Sequence, residues 1–118
     1  MGTFRTEVTI SNLRDPSRSV TLPLLVDTGA TYATLPGETV EALGLEPIDT
    51  RRVRLGDGRE ERWAVGEIRV RVDGRESPSV CLIGPRGGPA LLGAVTLEEL
   101  ALGVDPTGKR LISTTSLV

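Results

Sequence analysis

Leu22-Pro23-Leu24-Leu25-Val26-Asp27-Thr28-Gly29-Ala30-Thr31 is an apolar run that ends in a carboxylate, a hydroxyl and a glycine. The unbroken stretch Leu24-Leu25-Val26 has the pattern of a strand buried on both faces. An ionisable group placed directly after such a strand is costly unless a hydrogen bond, a metal or another charge meets it. Thr28 supplies a hydroxyl and Gly29 a backbone free to turn sharply. The run therefore describes a carboxylate held on a tight loop. Asp-Thr-Gly is also an ordinary turn sequence, because Asp and Thr side chains bond their own backbone. The hydrophobic lead-in and the small Ala30 that follows favour the positioned carboxylate.

Working outward, Phe4 to Ile10 alternates apolar and polar side chains, the period of a half-buried strand. Residues 12–19 make a polar turn, and Val20 to Val26 returns as the strand that delivers Asp27. Pro23 cannot donate a ladder hydrogen bond, which predicts an edge or a bulge there. Glu38 to Gly44 reads as one or two helical turns stopped by Gly44, with a connector over 45–51. A hairpin follows over 52–65, with Gly56-Asp57-Gly58 at its tip. Gly66 to Val72 and Ser79 to Ile83 form a second hairpin turned by Asp73-Gly74. Ala90-Leu91-Leu92-Gly93 reads as a short buried strand leading into a helix, with Thr96 as N-cap, Glu98 and Glu99 in its first turn and Gly103 at its end. Adjacent helical residues point apart, so the two glutamates are a solvated face and not a catalytic pair. Residues 104–113 turn into a final strand before the tail.

Composition narrows the chemistry. The 118 residues form one domain, 1–118, and 14 glycines with 8 prolines suit an all-β unit with many reversals. Histidine is absent, which excludes Ser-His-Asp and Cys-His catalysis and His-based metal sites. No oxygen-ligand cluster at metal spacing is visible, and no cofactor is expected. The net charge of −2 and the single Trp, Tyr and Phe give no nucleic-acid footprint. The lone Cys81, flanked by Val80 and Leu82, reads as a packing residue, since no base is present to activate it. The expectation is a soluble, cytoplasmic protein of a reducing compartment, with no membrane span. Met1-Gly2 with Thr6 fits a loose lipidation pattern that is common by chance. The Arg-rich, Lys-poor balance hints at a bacterial source.

Leu25-Val26-Asp27-Thr28-Gly29-Ala30 resembles the active-site signature of the retropepsin-like aspartic proteases, the single-domain family that includes the retroviral enzymes. Leu91-Leu92-Gly93 is similar to the family's later element of two hydrophobic residues and a glycine. The resemblance covers most of the chain in the expected order. It implies an all-β, retropepsin-like acid protease barrel with a flap hairpin and one short C-terminal helix.

The resemblance further implies an aspartic endopeptidase. Its chemistry needs two carboxyl groups a hydrogen bond apart, sharing one proton, yet the chain has a single Asp-Thr-Gly. The second Asp27 must come from another copy, which makes the protein a homodimer with its site on the two-fold axis. By the same resemblance Thr28 bonds across that axis and the Gly29 carbonyl accepts a bond from an extended polypeptide substrate. Ala30 and Leu92 form pocket walls, and Gly56, Asp57 and Gly58 tip the flap that covers the peptide. Ala30 offers no hydroxyl to acidify the dyad, so the expected optimum is less acid than pepsin's. Thr31 and Ala94 stand where retroviral members carry a paired Asp and Arg, so dimer bracing must come from elsewhere. The alternative is a non-catalytic retropepsin-like peptide-binding or dimerisation module.

Overall fold

The computed structural model describes residues 3–118, so the Met1-Gly2 lipidation pattern lies outside the described residues. Its frame is a seven-stranded sheet in the order β1-β2-β7-β3-β6-β5-β4. These are β1 (Phe4–Asn12), β2 (Ser19–Val26), β3 (Ala33–Leu35), β4 (Asp49–Arg54), β5 (Glu60–Val72), β6 (Arg75–Ile83) and β7 (Leu91–Leu92). A further antiparallel pairing of β1 with β5, from Thr9↔Arg71 to Asn12↔Ile68, closes the sheet into a barrel and leaves β4 outside it. Two helices, α1 (Gly37–Leu43) and α2 (Ala94–Glu99), and a separate hairpin of β8 (Leu102–Asp105) with β9 (Arg110–Ser113) complete the described residues.

Alternation sets which side chains fill the barrel. Val8 and Ile10 of β1, Leu24 and Val26 of β2, Ile68, Val70 and Val72 of β5 and Cys81 of β6 all point inward and are buried. Leu35, Leu92 and Leu97 join the same cluster. Leu25 is only half-buried, so the expectation of a strand covered on both faces gives way to one with a single core face. The N–H groups of Leu25 and Asp27 bond outward to Ala90 and Leu92. Pro23 faces the same way, and its missing donor falls beyond the pairing with β7, which covers only Leu25 and Val26. The predicted edge is there.

Elsewhere the boundaries differ from the sequence reading. The strands expected over 59–65 and 66–72 are one continuous strand, β5, that first pairs with β4 and then with β6. Gly66 lies inside it, opposite Cys81. The connector expected to reach residue 51 yields to β4 at Asp49. Gly44 does stop α1, at φ +64 with its N–H on the Glu41 carbonyl. Thr96 is not a cap: α2 begins at Ala94 behind Gly93, and Thr96 is buried, its hydroxyl 2.8 Å from that of Ser79. Glu98 and Glu99 consequently end α2 and do not begin it. Glu99, though exposed, accepts a hydrogen bond from Ser79 Oγ at 2.6 Å. Gly103 lies within β8, and the helix stops earlier because Ala101 takes φ +53.

Candidate active site

Asp27 is the first residue past β2, and short-range bonds fix its loop. The backbone N–H of Asp27 donates to the Leu92 carbonyl at 3.1 Å, and that of Ala30 donates to the Asp27 carbonyl at 3.1 Å. The Gly29 N–H donates to Asp27 Oδ1 at 2.9 Å, orienting the carboxylate. Asp27 is half-buried, while Thr28 and Gly29 are exposed. The loop's far side is held by α2, whose first two N–H groups, on Ala94 and Val95, donate to the carbonyls of Ala30 and Thr31 at 2.8 and 2.9 Å. Helix starts leave such donors without intrahelical partners, and here the acidic loop satisfies them in place of a capping side chain. Gly93 permits the approach, because a Cβ there would collide with the Tyr32 carbonyl and lie 2.9 Å from the Ala30 oxygen.

A cleft of about 570 Å³ opens at this loop. Its floor is Asp27, Gly29 and Ala30, and its roof is the β4–β5 hairpin, from Arg51 to Gly56. At the hairpin tip, Gly58 N–H donates to the Leu55 carbonyl at 2.9 Å and Leu55 N–H to the Arg59 carbonyl at 2.8 Å. Gly58 takes φ +89, the left-handed residue of a three-residue hairpin loop. Backbone and side-chain bonds from Arg59 hold the Asp57 carboxyl below its usual range.

The cleft joins several of the residues read from sequence and leaves others apart. Asp27, Gly29, Ala30 and Gly56 all line it, whereas Asp57 and Gly58 stand exposed at the tip. Leu92 is fully buried in the core, and its neighbour Leu91 forms the wall. Tyr32, Arg51, Trp63 and Leu82 also line the cleft, and no local motif in the sequence assigns them to the site. Trp63 shares a hairpin face with Arg51, its partner in register, so the chain's sole tryptophan was the available signal. Arg51 Nη1 donates to Asp49 Oδ2 at 2.8 Å. Asp49, with Tyr32 also beside it, raises the guanidinium above its ordinary value.

Thr31, in the place of the retroviral Asp, is exposed, and Ala94 serves the loop through its backbone. Among the described residues no group of three His, Cys, Asp or Glu is placed to hold a metal. No described helix is long and apolar enough to cross a membrane. Cys81 is buried at the barrel centre, and burial pushes its thiol up to about 12.

The aspartyl protease family profile matches residues 7–105, a span that contains the Asp27 loop, the hairpin roof and Leu91-Leu92-Gly93. The chain belongs to the aspartyl protease family.

Within that family its fold is retropepsin-like. EIAV protease, solved with the inhibitor HBY-793, aligns with a TM-score of 0.58 at 20% identity, over 94% of this chain and 93% of that one. A retropepsin-like aspartic protease from Rickettsia conorii aligns with a TM-score of 0.59 at 25% identity, over 88% and 85%. The simian foamy virus protease aligns with a TM-score of 0.55 at 23% identity, over 80% and 91%. No curated protein matches the sequence. Family and fold together support an aspartic protease, a hydrolase of peptide bonds.

Proposed function

We propose that the protein is an aspartic endopeptidase whose catalytic dyad is Asp27 from each of two identical chains. The observation that carries this reading is the orientation of one carboxylate, by Gly29 N–H at 2.9 Å, on the floor of a cleft roofed by a hairpin. Two carboxyl groups that close cannot both ionise, so the pair holds one proton. The ionised carboxylate takes a proton from a water molecule as its oxygen attacks the scissile carbonyl carbon. The other carboxyl gives its proton to the carbonyl oxygen. As the tetrahedral adduct collapses, the first carboxyl passes the proton taken from water to the leaving nitrogen, the C–N bond breaks, and a hydroxyl of the adduct returns a proton to the second carboxylate.

The rest of the cleft suits an extended peptide, which would bond like an added strand between the Asp27 loops and two hairpins. At Gly56 a Cβ would meet nothing within 4 Å, so the space beside the hairpin tip is open to a peptide. Thr28, exposed and without a side-chain hydrogen bond among the described residues, is left available to bond across the two-fold axis. The test is proteolysis of an unfolded protein by wild type and Asp27→Asn across mildly acid to neutral pH. Activity confined to wild type is expected. Equal cleavage by both overturns the reading, and peptide binding without cleavage by either makes the chain a binding module.

A further inference from the structure

Side chains alternate along a strand, and residues in register share a face. Arg51 and Val53 of β4 therefore look the same way as Trp63 and Glu61, their partners on β5. Arg51, Val53 and Trp63 line the cleft together with Tyr32 and Leu82, and Arg51 is the one charged residue of these. Arg52 and Arg62, one position along the ladder, stand in register on the opposite face. The only acidic residue lining the cleft is Asp27 itself.

The Arg51 guanidinium is only partly engaged. Its Nη1 donates to Asp49 Oδ2 at 2.8 Å and to the Thr50 carbonyl at 3.0 Å. A guanidinium carries five N–H donors, so those on Nε and Nη2 are left for a further acceptor. Asp49 holds it weakly, because the two side chains are 43% and 63% exposed and such ion pairs contribute about 0–1 kcal/mol. Tyr32 stands beside the same guanidinium. The neighbouring wall is fixed: a Cβ on Gly84 would lie 3.4 Å from the Trp63 ring, and Trp63 Nε1 donates to Glu61 Oε1 at 2.9 Å.

We propose that Arg51, Tyr32 and Trp63 form a side-chain pocket of the cleft that takes an acidic residue of the bound peptide. This rests on the peptide-binding reading above. The carboxylate accepts charge-assisted hydrogen bonds from Nε and Nη2 of Arg51, while the methylene stem lies against the indole of Trp63. A basic side chain there would meet a like charge, and an uncharged one would forgo the charge-assisted bonds. Arg51 lies five residues before Gly56, about 16 Å along a strand. The pocket is thus at the base of the roof, and the acidic residue is one distant from the bond that is cut. Two-fold symmetry places one such pocket on each side.

The test uses fluorescein-labelled, C-terminally amidated dodecapeptides in which a single Glu is moved outward from an apolar centre, each with a Gln counterpart. The Glu side chain is then the one carboxylate present. Binding to Asp27→Asn protein at low salt should favour Glu at an outer position by about fivefold, and the preference should shrink as salt rises. Arg51→Gln in the same background should lose it, and Arg51→Glu should prefer Lys at that position. Equal affinities at every position, a preference that survives Arg51→Gln, or no binding of any peptide overturns the proposal. Cleavage of the Gln peptides by wild type reports separately on the protease reading. A Glu preference in binding that Arg51→Gln abolishes, with no cleavage of any peptide, overturns that reading alone.

Discussion

The backbone N–H of Ala94 donates to the carbonyl oxygen of Ala30 at 2.8 Å. The start of α2 and the loop that carries Asp27 are therefore one hydrogen-bonded unit, with Gly93 at the point of closest approach.

Gly93→Ala should break that unit. Its new Cβ would collide with backbone oxygens of Tyr32 and Ala30, which cannot swing aside as a side chain can. Overpacking of this kind costs about 1–3 kcal/mol, and the displaced loop should also lose activity. Urea unfolding of the variant measures the first effect. Unchanged stability would mean that the loop yields without cost.

Arg75 ties the far end of α2 to the last strand. Its Nη1 donates to the carbonyls of Leu100 at 2.9 Å and Ala101 at 2.6 Å, and its Nη2 to Ser113 Oγ. Arg75→Ala strands partly buried carbonyls and should cost about 1–3 kcal/mol. Arg75→Lys should recover only part, because an ammonium lacks the planar fork. Thermal unfolding of the two variants checks the order.

Cys81 should make stability fall in alkali. Its thiol is pushed up to about 12 by burial, whereas an unfolded thiol titrates near about 8.5. Between those values the folded chain keeps a proton that the unfolded chain has lost. The contribution is intact below the unfolded value and is lost as pH rises, at up to about 1.4 kcal/mol per pH unit. Comparing the pH slope of urea midpoints between wild type and Cys81→Ala isolates it. The same burial should leave the native thiol unreactive toward a thiol reagent at pH 8 until the chain is unfolded.

Much of this was legible in the sequence where the causes are local. Alternation marked β1, the apolar run that ends at Asp27 marked β2, Pro23 marked its edge, and Gly56-Asp57-Gly58 and Asp73-Gly74 marked the two hairpin tips. The misread parts have distant causes. The start of α2 was sought in a capping hydroxyl, but its donors are met by Ala30 and Thr31, far away in the chain. Thr96 was thereby freed to bond Ser79 inside the core. Gly66 resembled a break, yet it lies in β5 with its nearest neighbour, Ile83 Cδ1, at ordinary contact distance from a Cβ built there. At the site, the Asp27 loop was clear from its own residues. Tyr32, Arg51 and Trp63 were not, because only the folding of the hairpin over the loop brings them to the same cleft.

Subunit mixing tests the shared dyad most directly. Wild type and Asp27→Asn protein are refolded together at fixed total concentration, and the rate of peptide cleavage is followed as the wild-type fraction falls. If each site needs Asp27 from both chains, activity should fall as the square of that fraction, because mixed dimers are inactive. A linear fall would show that one chain carries a complete site and would contradict the shared dyad.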